Sequence, residues 1–265
     1  MAHGMIDEKI VNEYQPSEEE KLFEFDIQKY NGPRNSRFEP HGEGRAKFAA
    51  GGRYEGQFRK GLLHGNGRLV LQDCHRYDGH WRKGLKHGMG RMYYPDCSQY
   101  EGEFRKDQRH GIGKYQYPNG AHYEGNWFKD KRHGVGCYVF SRGGVTLKGT
   151  WIEGVACGPA EIIFEDYRFH GYWDEDKPRG LGCFTFDAKV MISGKYYVDE
   201  KEGCDSREVV WQPMLIEKYE YSKLPLEPLP FPVDESDISE ISSSEDEECD
   251  SGDEVHVLDE ENSMT

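Results

Sequence analysis

The chain has 265 residues, only 35% of them hydrophobic, with 32 glycines and a formal net charge of −15; its mean hydropathy is −0.90. So little apolar content argues against an ordinary two-layer globule and suits an extended single-layer architecture. Seven scattered cysteines without a C-x-x-C pair argue against a secreted disulfide scaffold. With no signal peptide, lipidation motif or bilayer-spanning apolar run in the sequence, a soluble intracellular protein is expected.

Residues 1–29 are acidic and unpatterned, densest at Glu18-Glu19-Glu20, and are expected to be a mostly disordered lead-in. Residues 30–53, with Tyr30-Asn31-Gly32 and His41-Gly42-Glu43-Gly44, look like a degenerate first repeat with an elongated turn. From Tyr54 one phrase recurs. Tyr54-Glu55-Gly56-Gln57-Phe58 returns as Tyr77-Asp78-Gly79-His80-Trp81, Tyr100-Glu101-Gly102-Glu103-Phe104 and Tyr123-Glu124-Gly125-Asn126-Trp127. Looser copies carry Gly149 and Trp151, Gly171 and Trp173, and Gly194 and Tyr196. Units start at 54, 77, 100, 123, 147, 169 and 192, the last read as truncated at 199. A fixed period of this length marks a repeat array.

Each unit predicts two strands and a turn. Tyr54, Gly56 and Phe58 alternate and so share one face of a strand. Gly61, Gly84, Asp107 and Asp130 stand where the chain must reverse. His64-Gly65-Asn66-Gly67, and its equivalents at His87, His110 and His133, open the return strand. One such hairpin is marginal alone; stacked edge to edge, the hairpins make an all-β, elongated ribbon with one buried aromatic stripe. The strand glycines are expected to leave room for a ring from the neighbouring unit.

Residues 200–232 read as a Pro-containing extension, with Val209-Val210-Trp211 placed to dock on the last repeat. Residues 233–265 hold 14 Asp and Glu and no Lys or Arg, a disordered acidic, Ser-rich tail. Ser242, Ser243 and Ser244 each have an acidic residue three positions on and are candidate phosphorylation sites. By contrast, residues 53–142 hold 17 Lys and Arg against 9 Asp and Glu.

No motif with catalytic or cofactor-binding chemistry emerges. His64, His87, His110 and His133 lie two strands apart, roughly 10 Å, too far for neighbours to share a metal. They are expected to hydrogen-bond within their own turns. Glu55, Glu101 and Glu124 recur with the repeat and so read as architecture. The pairs Arg59-Lys60, Arg82-Lys83, Arg105-Lys106 and Lys131-Arg132 are placed near the turns, as a solvated edge or as a surface for anionic lipid or an acidic protein. The acidic tail and the lack of a nucleic-acid-reading module exclude nucleic acid as an expected partner.

The phrase Tyr-x-Gly-x-aromatic, followed by His-Gly-x-Gly at this spacing, resembles the MORN repeat family, closely from Tyr54 to Gly136 and more loosely to Tyr196. Within it, the elongated first turn, the degenerate late units and the acidic Ser-rich end are similar to radial spoke head members of cilia. The resemblance implies a non-enzymatic scaffold without metal or cofactor, placed in the cytoplasm and cytoskeleton at the axoneme of cilia or the sperm flagellum and required for motility. Its partners would be other radial spoke head proteins, with self-association left open. The alternative is an adaptor that binds anionic phospholipid membrane and a protein.

Overall fold

The computed structural model describes residues 9–15, 25–72, 75–187, 189–200 and 207–218. Glu18-Glu19-Glu20, residues 219–232 and the acidic tail with Ser242, Ser243 and Ser244 lie outside the described residues. Every regular element among the described residues is a strand. The first hairpin is β1 (Ile27–Asn31) and β2 (Gly42–Phe48), followed by β3 (Arg53–Arg59) with β4 (Leu62–Val70), and β5 (Arg76–Arg82) with β6 (Leu85–Tyr93). Next come β7 (Gln99–Arg105) with β8 (Gln108–Gln116), and β9 (His122–Phe128) with β10 (Lys131–Val139). The later hairpins are β11 (Thr146–Ile152) with β12 (Val155–Ile163), β13 (Tyr167–Asp174) with β14 (Lys177–Phe186), and β15 (Val190–Glu200) with β16 (Arg207–Lys218). All sixteen form one sheet in chain order, each strand pairing with the next, as the period predicts.

The turns explain why the chain reverses so regularly. Lys60 and Gly61 have φ of 53° and 80°, and Lys83-Gly84, Lys106-Asp107, Lys129-Asp130, Glu153-Gly154 and Glu175-Asp176 repeat the pattern. Two successive left-handed residues form the two-residue turn whose twist matches that of paired strands. Just beyond it, β3 and β4 slip register between Gly56 and Gln57, and the extra residues on β4 are accommodated by Gly65 at φ 57°. Gly88, Gly111 and Gly134 do the same in the next three units.

The buried face is a chain of edge-to-face rings. Tyr77 meets Trp81 of its own strand at 5.0 Å and Phe104 of the next unit at 5.2 Å; Tyr100 meets Phe104 at 5.1 Å and Trp127 at 5.3 Å. The series runs from Tyr30 against Phe58 to Tyr123 against Trp151. Each contact adds about 0.5–1.5 kcal/mol beyond the area it buries.

The glycines make room for a different ring from the one expected. Gly102 and Gly113 face each other across β7 and β8, and a Cβ on Gly102 would lie 2.6 Å from the hydroxyl of Tyr100, the tyrosine of its own strand. That ring folds down along its own hairpin and donates its hydroxyl proton to the carbonyl of Glu103 at 3.0 Å. Tyr54, Tyr77 and Tyr123 bond the carbonyls of Gln57, His80 and Asn126 in the same way. A ring reaching a carbonyl three residues ahead must cross two strands close to the backbone, which only glycine permits.

The array is longer than residues 30–199 at both ends. β1 starts at Ile27, and residues 9–15 of the expected lead-in lie against the sheet with Ile10, Val11 and Tyr14 on its core. The last unit is not truncated at Asp199. β16 supplies its return strand from the stretch read as an extension, because Trp211 completes the aromatic layer, its ring 4.8 Å from Tyr196 and 5.1 Å from Phe184.

Candidate functional site

The sheet presents three surfaces: an outward face, an edge formed by the turns, and a groove over the aromatic face. On the outward face, cross-strand pairing puts Arg45, Glu55, Arg68, Asp78, Arg91, Glu101, Lys114 and Glu124 in one row of alternating sign. Arg45 meets Glu55 at 2.7 Å, Arg91 meets Glu101 at 2.6 Å and Lys114 meets Glu124 at 3.5 Å. Exposed ion pairs of this kind contribute about 0–1 kcal/mol each. Their effect is on register, since a one-residue slip would turn one partner of each pair to the other face of the sheet.

At the turn edge, Lys60, Lys83, Lys106 and Lys129 are exposed. His41 and His64 lie beside this edge, but against the next hairpin's turn instead of their own, while His133 meets Phe128 of its own hairpin at 5.6 Å. The backbone N–H of Lys83 approaches Nδ1 of His64 at 3.5 Å, as that of Lys60 approaches His41. A ring at the start of a return strand sits next to the following turn because hairpins stack in chain order. Burial, and then the charges of Arg59, Arg82 and Lys83, hold the His64 imidazole below its ordinary pKa; His87 is lowered likewise by burial, Arg82, Arg105 and Lys106.

The groove contains what the sequence had hidden. The expectation that Lys131-Arg132 lines the edge fails for Arg132, which is 1% exposed. Alternation along β10 turns Lys131 outward and Arg132 onto the aromatic face. Its guanidinium lies 4.6 Å from the Trp151 ring and donates through Nη2 to the carbonyl of Gly154 at 2.6 Å. Arg109 sits one repeat earlier in the same setting, 4.9 Å from the Trp127 ring, with Nη2 donating to the carbonyl of Asp130 at 2.9 Å and Nε to its carboxylate at 3.1 Å. Lys86 occupies the equivalent place one repeat earlier still, and burial lowers its pKa against the pull of Asp107 and Asp130.

Residues 9–15 form a strap across this groove. Glu13, 8% exposed, places its carboxylate 3.0 Å from Nε of Arg132 and accepts the Tyr117 hydroxyl at 2.9 Å. The Val11 and Tyr14 amides donate to the hydroxyls of Tyr138 at 3.1 Å and Tyr115 at 2.8 Å. The repeat array thus binds an extended segment through a buried cation, tyrosine hydroxyls and aromatic rings.

The repeat positions singled out from the sequence line the groove floor. Tyr54, Phe58, Tyr77, Trp81, Tyr100, Phe104, Tyr123, Trp127, Trp151 and Trp173 are buried. Gly79, Gly125, Gly149 and Gly171 sit beneath Tyr77, beneath Tyr123, against Ala160 and beneath Phe169, while Gly56 faces Gly67 under Tyr54. Arg109 and Lys86 escaped notice and Arg132 was placed at the edge, yet a signal existed: their column holds Leu63 in the first full unit and Ala156 in the fifth. Apolar residues in a column mark it as inward-facing.

The MORN repeat family model matches residues 54–73, 77–96, 100–122, 123–145 and 169–188. The chain carries MORN repeats, and they mark a scaffold or adaptor. A search of curated proteins finds no match.

Proposed function

We propose that this chain is a non-catalytic scaffold of the ciliary or flagellar axoneme, a radial spoke head component needed for normal beating. One observation carries the scaffold role. The binding features are distributed along the array as an aromatic groove, a charge ladder and a turn edge, each repeating with the hairpins. An enzyme would need its groups to converge on one reacting atom. The axonemal placement draws on the elongated first turn, the degenerate late units and the acidic tail. That first turn is an ordered loop, with Asn35 accepting from the amides of Arg37 and Glu39 at 2.9 and 3.0 Å.

The lysines of the turn edge favour a second reading, an adaptor on anionic membrane. Fractionation separates the two. A spoke head component remains with demembranated axonemes and is released with the spokes. A membrane adaptor leaves with the detergent extract and pellets with phosphatidylserine vesicles at low salt. If cells lacking the protein beat normally and keep intact spoke heads by electron tomography, the axonemal assignment is wrong.

A further inference from the structure

Among the described residues, the strap covers only part of the groove. Beyond Tyr14 the groove continues toward Phe25 as a cavity of about 1250 Å³, floored by Tyr77, Trp81, Tyr94 and Phe104. Lys86 and Arg109 face it and Lys83 and Lys129 border it at the turns, four cations against two carboxylates, Asp107 and Asp130. Arg109 borders this space. Its side chain is 2% exposed, and its Nη1 is buried with no hydrogen-bond partner. A buried guanidinium nitrogen without an acceptor is rare in a folded protein and calls for one.

The neighbouring repeat shows what fills such a place. Nη1 of Arg132 reaches the carbonyl of Val11 at 3.5 Å and the Tyr117 hydroxyl at 3.3 Å, and the strap's Glu13 lies on the same guanidinium. Arg109 has the same tryptophan beneath it and the same turn carbonyl beside it, but no strap atom on Nη1.

We propose that the groove over β4 to β9 takes a second extended segment, an acidic and aromatic peptide of a partner protein. One of its acceptor oxygens would lie on Nη1 of Arg109 and one of its rings beside Phe104. The excess of cations selects for carboxylates, and the ring-lined floor selects for an aromatic anchor. This occupant presupposes the scaffold role and specifies the chemistry of its partner.

The test uses the full chain and labelled synthetic polymers, read by fluorescence anisotropy. Poly(Glu,Tyr) should bind, poly(Lys,Tyr) should not, and poly-Glu without the aromatic should bind about tenfold more weakly. Lys86→Met and the double change Lys83→Glu with Lys129→Glu should each weaken poly(Glu,Tyr) about tenfold. The exposed outward-facing Lys195→Glu should change nothing. Because Lys83 and Lys129 are exposed, that double variant remains informative if Lys86→Met disturbs folding. Equal binding of the three polymers, or indifference to the groove variants, overturns the proposal. So does binding that emerges only when Glu18, Glu19 and Glu20 are changed to Gln, since the chain itself would then supply the acidic occupant. Failure here leaves co-sedimentation with axonemes untouched, so the two readings fall separately.

Discussion

A methyl group on Gly113 should be among the most damaging small changes the array can suffer, and a second substitution should repair it. A Cβ there would lie 2.6 Å from Cε2 of Tyr100 and closer still to its hydroxyl. Tyr100 is fully buried, held by Phe104 and Trp127 on either side and by the carbonyl of Glu103. Overpacking of that kind costs about 1–3 kcal/mol, and losing the hydroxyl's bond about 1 more, so Gly113→Ala should cost about 2–4 kcal/mol. Tyr100→Leu alone should cost about 2–3 kcal/mol through lost ring contacts and a void. The fifth unit already holds the combination, with Leu147 in the tyrosine position and Ala160 facing Gly149. The double variant should therefore cost little more than Tyr100→Leu, a coupling of about 2 kcal/mol or more in the double-mutant cycle. Urea unfolding followed by tryptophan fluorescence and circular dichroism measures each corner at constant m. Additive costs, within about 0.5 kcal/mol, would refute the claim that the glycine exists to seat the ring.

Glu13→Ala should free the strap without unfolding the array: amide exchange at Val11 and Tyr14 should accelerate about tenfold or more while β7 and β8 keep their protection, and unchanged exchange at both amides would show that Glu13 does not hold the strap. Acid should destabilise the fold through its histidines. His64, His87, His122 and His170 are all held below the ordinary value by burial first. In that window the unfolded chain binds more protons than the folded one, so the stability is present above about pH 6.5 and is lost as the pH falls below it. His64→Gln with His87→Gln should flatten the fall in Tm between about pH 7 and 5, and an unchanged slope would assign the acid sensitivity elsewhere. Deleting residues 100–122 removes one full unit and keeps the hairpin phase; the protein should fold, with a circular dichroism spectrum like that of the full chain, yet fail to restore beating in cells lacking it because the surface is shorter by roughly 10 Å.

The hairpin stack was legible because its cause is local. Tyr54, Gly56 and Phe58 alternate within five residues, and the turn at Lys60-Gly61 needs only its own two residues. The partner of each glycine was harder, since the ring over Gly102 belongs to a side chain two residues away that could point to either side of its strand. The charge ladder needed register: Glu101 and Lys114 become neighbours only once Gly102 faces Gly113. Arg109 and Arg132 were masked by their charge, which ordinarily signals an exposed position. The strap was masked by its surroundings, because Val11, Glu13 and Tyr14 lie in an acidic stretch with no period, and their fit depends on residues more than a hundred positions away.

The two halves of the array are not equivalent, and the difference bears on which partners each can hold. The first residue of the two-residue turn is Lys60, Lys83, Lys106 and Lys129 in four successive units, then Glu153 and Glu175 in the next two. The basic edge therefore ends where the sign reverses. The inward column changes at the same place, from Lys86, Arg109 and Arg132 to Ala156. Beyond it, Leu147, Ala160 and Ile162 fill the core where the earlier units used a tyrosine seated over glycine. An anionic surface, whether lipid or protein, can engage the turn edge only along β3 to β10, and an acidic peptide can lie in the groove only over that same stretch. Among the described residues, the units from β11 onward pack without buried cations, and their turns carry Glu153 and Glu175 where the earlier ones carry lysine. These units extend the sheet beyond the basic half.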